Sequence, residues 1–435
     1  MNSNDVDSVK SVDSTEEILD ISVEAGMIIL QNGGETYRTE ETMISMAESL
    51  GVKSASAFVT PTVVMLTCSD PEGRSVTRIQ RINDRSINLG RIAQVTELAR
   101  RLSGQGEGVG DEAVKGSRER LDEIASVLDR IRKSPLHHPV TVVLATALAS
   151  FFFSLLFLGS IREALLAFAI GAVLRLVLFL VNPLGLSGFI VSVIGGAVIS
   201  LLSNAAAFSG IVSSPGNISI SVLMALVPGL AIVNSIRDII AGDLVAGSAR
   251  LLEAFVIAAA LSLGAAFGLL LFPSLGRFSP EIFMLNRTIP VLVYSFLATA
   301  SFAWFFFINK YDIFWTSLFG ALGYALYIVS VRDYTGGTMG YFLGALCVGL
   351  LSESAAAVFK KPATVYIVPG IIPLVPGGGM YETMFAVVLG RKDAAAFIGF
   401  NTLIAAAAIA VGVALASSLA RLVGRIRNPS FRPPR

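Results

Sequence analysis

Apolar residues are distributed along this chain in two regimes. Through residue 138 they recur at helical or alternating spacing between polar positions; from residue 139 onward they form near-continuous runs with short polar breaks. In the first regime, residues 15–51 predict a helix, a Gly33-Gly34 break and a second helix ending at Gly51, with Ile18, Ile21, Ala25, Ile28 and Ile29 on one face. The Val- and Thr-rich run from Phe58 to Cys68 predicts a strand, Asp70-Pro71-Glu72-Gly73 a turn, and Ser75 to Ile82 another strand. Helices follow near 88–102 and 112–132, joined by a Gly-rich stretch at 104–110, and the second carries Leu121, Ile124, Leu128 and Ile131 on one stripe. The expectation is a soluble α+β domain over 15–135 behind a disordered N-terminus, residues 1–14.

The second regime predicts ten membrane spans, since about 20 apolar residues cross a bilayer. They lie near 139–159, 163–181, 185–207, 217–236, 251–272, 288–308, 313–331, 336–358, 363–389 and 394–419. The runs repeat at an offset of about 150 residues. Pro139-Val140 returns as Pro290-Val291, Gly171-Ala172 as Gly320-Ala321, Leu201-Leu202-Ser203-Asn204 as Leu350-Leu351-Ser352-Glu353, and Leu226-Val227-Pro228-Gly229 as Leu374-Val375-Pro376-Gly377. Five spans are therefore duplicated, over 139–272 and 288–420. An odd number per copy makes the copies inverted, a pattern that favours a secondary transporter over a channel.

Composition agrees. At 15% charged residues, 54% hydrophobic residues and a mean hydropathy of +0.71, the chain is neither a single soluble globule, where about 25% are charged, nor disordered. Charge is also uneven: 16 Lys and Arg face 22 Asp and Glu through residue 138, and 17 face 10 afterwards. The first 17 residues are acidic and polar with no apolar core, so no cleavable signal is expected and the N-terminus is placed in the cytoplasm. Ten spans then put both termini inside, with a basic tail at 421–435, and leave 13 Lys and Arg on inner flanks against six outside. The expected location is the cell membrane, multi-pass.

Cys68 and Cys347 imply no disulfide framework, and the adjacent His137 and His138 have no further ligand cluster, so neither metal nor cofactor is expected. Chemistry concentrates at the broken spans. Segment four carries Pro228, Gly229 and Asn234; segment nine carries Pro369, Gly370, Pro376, Gly377 and Tyr381. Proline removes a backbone donor and glycine unwinds cheaply, so paired breaks at equivalent repeat positions point to a substrate site. Ionisable groups near them are Glu353, whose repeat mate is Asn204, together with Asp238, Asp243 and Glu382. Charge at bilayer depth is costly, and Glu353, the deepest, leads as the group carrying a coupled proton. Arg175 and Glu253 are read as snorkelling, and the Phe151–Phe153 and Trp304–Phe307 runs as lipid-facing or interfacial packing. In the soluble domain, Gly33, Gly34, Glu35 and Arg38 form the densest motif. No strand precedes the glycines, which weakens a phosphate-cradling reading against helix capping with a Glu35–Arg38 pair. Nothing resembles a nucleophile-base-acid set, so an enzyme is not expected.

At these residues the chain resembles the threonine/serine exporter family. Residues 33–41 (GGETYRTEE), Phe58-Val59-Thr60-Pro61-Thr62 and 226–250 look like that family's first module, and 368–385 (VPGIIPLVPGGGMYETMF) like its second; the likeness runs from about 15 to 420. It implies export of small hydroxy amino acids, or of dicarboxylates, driven by the proton motive force. In some members the modules are separate chains, a pair associated with succinate export. Segment four departs from the pattern in lacking a second proline after Pro228-Gly229. The resulting reading is a mostly helical polytopic protein exporting threonine and serine, with protons and the lipid bilayer as partners, no nucleic acid, and a homo-oligomer left open. The alternatives are a dicarboxylate exporter and a membrane-anchored sensor or enzyme with its output in the N-terminal domain.

Overall fold

The computed structural model describes residues 3–70, 73–83, 86–105, 118–134, 138–212, 215–272, 288–333 and 337–427. The tail beyond Arg427, most of the glycine-rich link, Pro71-Glu72, His137, Arg277 and Arg287 lie outside these residues. The chain divides into two compact units. One comprises Met1–Leu136 with Asp238–Gly247, and the other His137–Arg237 with Ser248–Arg427.

In the first unit the order is α1 (Ser3–Gln31), α2 (Thr36–Ser49), β1 (Ser54–Thr60), β2 (Val63–Ser69), β3 (Ser75–Arg81), α3 (Leu89–Gln105) and α4 (Arg118–Lys133). Helix α1 begins at Ser3 instead of near residue 15, so the stretch expected to be disordered enters the helix. Its predicted apolar face is buried throughout, as is the α4 stripe of Leu121, Ile124, Leu128 and Ile131. The strand expected over Phe58–Cys68 is instead a hairpin. Pro61 and Thr62 form its two-residue turn, Thr60 pairs with Val63, and β2 then pairs antiparallel with β3 to give the order β1-β2-β3. Proline cannot donate to a ladder, so an uninterrupted strand through Pro61 is unfavourable. Alternation along β2 buries Val64, Leu66 and Cys68 against the helices.

The second unit is helical: α5 (Pro139–Leu156), α6 (Ile161–Val181), α7 (Gly188–Phe208), α8 (Pro215–Leu223), α9 (Gly229–Ala241), α10 (Leu244–Leu271), α11 (Thr288–Phe305), α12 (Lys310–Asp333), α13 (Gly337–Phe359), α14 (Thr364–Gly370), α15 (Gly377–Val388) and α16 (Lys392–Arg427). The turn between α9 and α10 belongs to the first unit. Among the described residues, seven helices are long and apolar enough to cross a membrane, or eight if the bent pair α14–α15 counts as one span. Ten were expected from hydropathy. The difference lies in segment four, which the Pro228-Gly229 break splits into the short helices α8 and α9, and in segment six, whose apolar helix is only Pro290–Phe305.

Helices of this unit meet through small residues, as they must where lipid is as apolar as leucine and packing drives association. The sequence offset of about 150 residues reappears in these meetings. A methyl group on Gly171 would meet Ser150 between α6 and α5, and one on Gly320 would meet Thr299 between α12 and α11. A methyl on Gly264 would meet the Val193 carbonyl between α10 and α7, and one on Gly412 would meet the Phe342 carbonyl between α16 and α13. Leu158 and Phe307 end α5 and α11 alike, at φ 61° and 62°. Phe153 of α5 and Phe302 of α11 stack edge to face with centroids 5.5 Å apart. With Phe306 they are buried, so part of the two aromatic runs is core instead of lipid-facing.

Candidate functional site

The two Pro-Gly breaks share one local geometry. The Gly229 amide donates to the Val227 carbonyl at 2.8 Å, and the Gly377 amide to the Val375 carbonyl at 2.8 Å. Each closes a three-residue turn around a proline; Pro376 sits at φ −80°, ψ 45°, near the inverse γ-turn well. In segment nine the turn follows α14 and a tight 3₁₀ turn over Ile372–Leu374, and the chain bends by 51° into α15.

The breaks also touch, and reciprocally. A methyl on Gly229 would overlap Val375 Cγ1 and lie 3.3 Å from Gly377 Cα; one on Gly377 would lie 3.0 Å from Val227 Cγ1. Val227 and Val375 are repeat mates, as are Gly229 and Gly377, so residue i of one copy meets residue j of the other and vice versa. That is the pattern of a two-fold contact. Helix α9 packs into the core of the second copy, and α15 contributes to both cores, Met380 and Met384 to the second copy's and Tyr381 and Phe385 to the first's. Ile232 and Val233 of α9 pack with Ala345, Val348, Ile367, Leu374 and Ile409 of the second copy. Tyr381 of α15 packs with Ala167, Leu174, Ile199 and Leu261 of the first, and Phe385 packs against the same cluster.

Around this crossing the polar groups are few. Asn234 is 8% exposed and its Oδ1 has no hydrogen-bond partner. Ser262 Oγ donates to the Tyr381 carbonyl at 3.2 Å, and the Tyr381 ring stacks on Phe385. Buried Ser203 and its repeat mate Ser352 also have unpartnered hydroxyls. The structure thus brings Pro228 and Gly229 to Pro376 and Gly377. Pro369 and Gly370 sit apart in α14, where Gly370 packs against Val348 and Thr316. Glu353, on α13, accepts from Ser417 Oγ on α16 at 2.6 Å, and Glu382 is half-buried on α15.

Asp238 and Asp243 belong to the first unit. Asp243 stands just ahead of α10, where its carbonyl accepts from the Gly247 amide, and its Oδ2 accepts from Thr36 Oγ1 at 3.2 Å. Thr36 opens α2, directly after the glycine motif. Gly33, at φ +93°, ends α1 in the left-handed region, and the Gly33 and Gly34 amides donate to Leu30 and Ile29, which is the Schellman arrangement. Glu35 stands at the N-cap position of α2 without a side-chain cap bond and pairs with Arg38 at 3.0 Å, so the glycines cap α1 and the expected Glu35–Arg38 pair is present. Glu40, one turn further along α2, accepts from the Val59 amide at 2.8 Å. Burial pushes its carboxyl up to about 7; the Val59 hydrogen bond opposes this, while Asp243, Asp238 and Glu41 add to it.

A buried cluster escaped the sequence reading. Asp312 pairs with Lys361 and accepts from Tyr366, joining the start of α12 to the start of α14. The available signal was only a lone Asp at a span end and a Lys in a short loop, far apart in sequence. No group of three or more His, Cys, Asp or Glu among the described residues could hold a metal, and His138 caps α5.

Known proteins resemble this chain along nearly its whole length. A family model described as "Putative threonine/serine exporter" matches residues 20–272, and one described as "Threonine/Serine exporter, ThrE" matches 291–419. The "Threonine/serine exporter" of Corynebacterium glutamicum is 23% identical over 96% of this chain and 85% of its own length. The "Probable threonine/serine exporter" of Mycobacterium tuberculosis is 23% identical over 95% of this chain and 79% of its own. No solved structure matches. With one family model across residues 20–272 and the other across 291–419, the chain is a multi-pass membrane transporter, not an enzyme, and belongs to the threonine/serine exporter family.

Proposed function

We propose that this chain exports threonine and serine by alternating access between two inverted five-span copies, coupled to protons. The reciprocal contact of Gly229 with Val375 and of Gly377 with Val227 carries the reading. Two inverted copies can trade conformations, and so open to either side from one sequence. On this reading the chain crosses ten times, α8–α9 and α14–α15 each forming one broken crossing, with both termini in the cytoplasm.

The substrate carboxylate meets the N-termini of α9 and α15 behind Pro228-Gly229 and Pro376-Gly377, where amides and helix dipoles favour an anion. Asn234 Oδ1, buried and unpartnered, accepts from the substrate ammonium or hydroxyl. Tyr381 lines the same crossing, and Pro369 and Gly370 place the lead-in to it. Glu353, with Ser417 on its oxygen, carries the coupled proton, with Glu382 and Asp238 as the other candidates.

Reconstitution into liposomes decides this. Threonine and serine should each exchange against internal threonine, and a pH gradient should drive their accumulation. Glu353→Gln should keep exchange and lose accumulation. Unchanged accumulation removes Glu353 from the proton path, absence of exchange for both amino acids sinks the proposal, and succinate exchanging in their place marks a dicarboxylate exporter.

A further inference from the structure

Asp312, in the first turn of α12, is 4% exposed, yet both of its oxygens are engaged. Lys361 Nζ lies 2.6 Å from Oδ2, and Tyr366 OH donates to Oδ1 at 2.8 Å. Tyr366 is fully buried, against Phe319 and Phe359. Lys361 follows Lys360, a non-glycine residue at φ 53°, in the turn that leads into α14. One carboxylate therefore fixes both that turn and the lead-in to the break.

The first copy also fastens the start of its broken segment to a neighbouring helix, with neutral groups and at the end of α5 instead of on α6, the helix that corresponds to α12. Asn217 of α8, which lies 149 residues before Tyr366, donates from Nδ2 to the Phe157 carbonyl at 3.0 Å and accepts from Ser154 Oγ at 2.9 Å. Each broken segment is thus tied at its start to the end of a neighbouring helix, by an amide in one copy and by an ion pair in the other. The two fastenings are unequal in strength. Asp312 is buried while the Lys361 side chain is 35% exposed, so it is loss of Lys361 that strands a buried charge, which costs more than losing a neutral hydrogen bond.

We propose that Asp312 is a positioning residue of the transport cycle: its bonds to Lys361 and Tyr366 hold the lead-in of α14 and keep the cytoplasmic side closed. Asn217 does the same, more weakly, on the opposite side. The inference rests on the alternating-access reading, which sets the two clamps on opposite faces of the membrane.

A reporter cysteine at Thr383 of α15, in full-length protein carrying Cys68→Ala and Cys347→Ala, reads the balance through labelling by an impermeant maleimide from either side. Labelling from both sides is expected without further substitution. Asp312→Asn should raise the cytoplasmic-to-external labelling ratio about tenfold or more. Tyr366→Phe, which keeps the shape and removes one hydrogen bond, should raise it about 2- to 10-fold. Exchanging the charges with Asp312→Lys and Lys361→Asp restores the ion pair but not the acceptor for Tyr366, so it should bring the ratio back to about that of Tyr366→Phe. Asn217→Ala should move it in the opposite direction.

An unchanged ratio in folded Asp312→Asn and Tyr366→Phe proteins overturns the proposal, as does Asn217→Ala shifting it the same way. If Asp312→Asn fails to fold, Tyr366→Phe and the charge exchange decide alone. A parent reporter labelled from one side only would overturn alternating access itself, which keeps the two failures apart.

Discussion

Adding one methyl group at Gly229 tests the crossing of the two breaks most directly. The methyl would overlap Val375 Cγ1 and approach Gly377 Cα to 3.3 Å. Val375 is 7% exposed and β-branched, so it is stiff at χ1 and has little room to swing away. Overpacking of this kind costs about 1–3 kcal/mol, so the intact crossing should lose about 5- to 150-fold in population against separated arrangements. Gly377→Ala comes nearest to Val227 Cγ1 at 3.0 Å, a contact relieved by a few tenths of an ångström, and should cost less. Gly188→Ala meets nothing within 4 Å and serves as the neutral control. Threonine efflux from liposomes, together with the melting temperature in detergent, should rank Gly229→Ala below Gly377→Ala, and Gly377→Ala below Gly188→Ala. Adding Val375→Ala to Gly229→Ala removes the overlapping methyl and should recover most of the loss, a coupling that a double-mutant cycle measures. Efflux by Gly229→Ala equal to that of Gly188→Ala would mean that the breaks do not meet, and failure of Val375→Ala to rescue would place the clash elsewhere.

Other consequences concern both units. Because the Glu40 carboxyl is held up at about 7 in the fold, against 4.5 ordinarily, the first unit is favoured while Glu40 is protonated and loses that stability as pH rises from about 5 through 7. Protection of the α2 amides in the full chain, taken relative to the base-catalysed intrinsic exchange at each pH, should therefore fall between pH 5 and 8, and Glu40→Gln should flatten that dependence; a profile unchanged by the substitution contradicts the assignment. Gly33→Ala, at φ +93°, should cost the first unit about 1 kcal/mol through left-handed strain, read as a lower melting temperature. Gly264→Ala and Gly412→Ala drive a methyl into the Val193 and Phe342 carbonyls, and both should lower folded yield in size-exclusion profiles more than Gly188→Ala does.

Local chemistry was legible in the sequence wherever one element carries it alone. The apolar faces of α1 and α4, the glycine break at Gly33-Gly34 and the Pro-Gly interruptions follow from periodicity and backbone preference within a few residues. The recurrence of glycines and prolines at an offset of about 150 residues was legible as well. Pro61 was a signal that the Val- and Thr-rich run around it concealed: its lack of an amide proton turns one long strand into a hairpin.

Only the tertiary structure decided which half-helix joins which core, that Gly229 meets Val375 and Gly377 meets Val227, and that Asp312, Lys361 and Tyr366 form one cluster. The physical reason is common to all three. Hydropathy scores a residue for being apolar, and in a membrane it gives the same answer whether that residue faces lipid or another helix. Pairing between groups dozens to hundreds of residues apart leaves no period in the chain, so their chemistry becomes visible only once the fold has brought them within bonding distance.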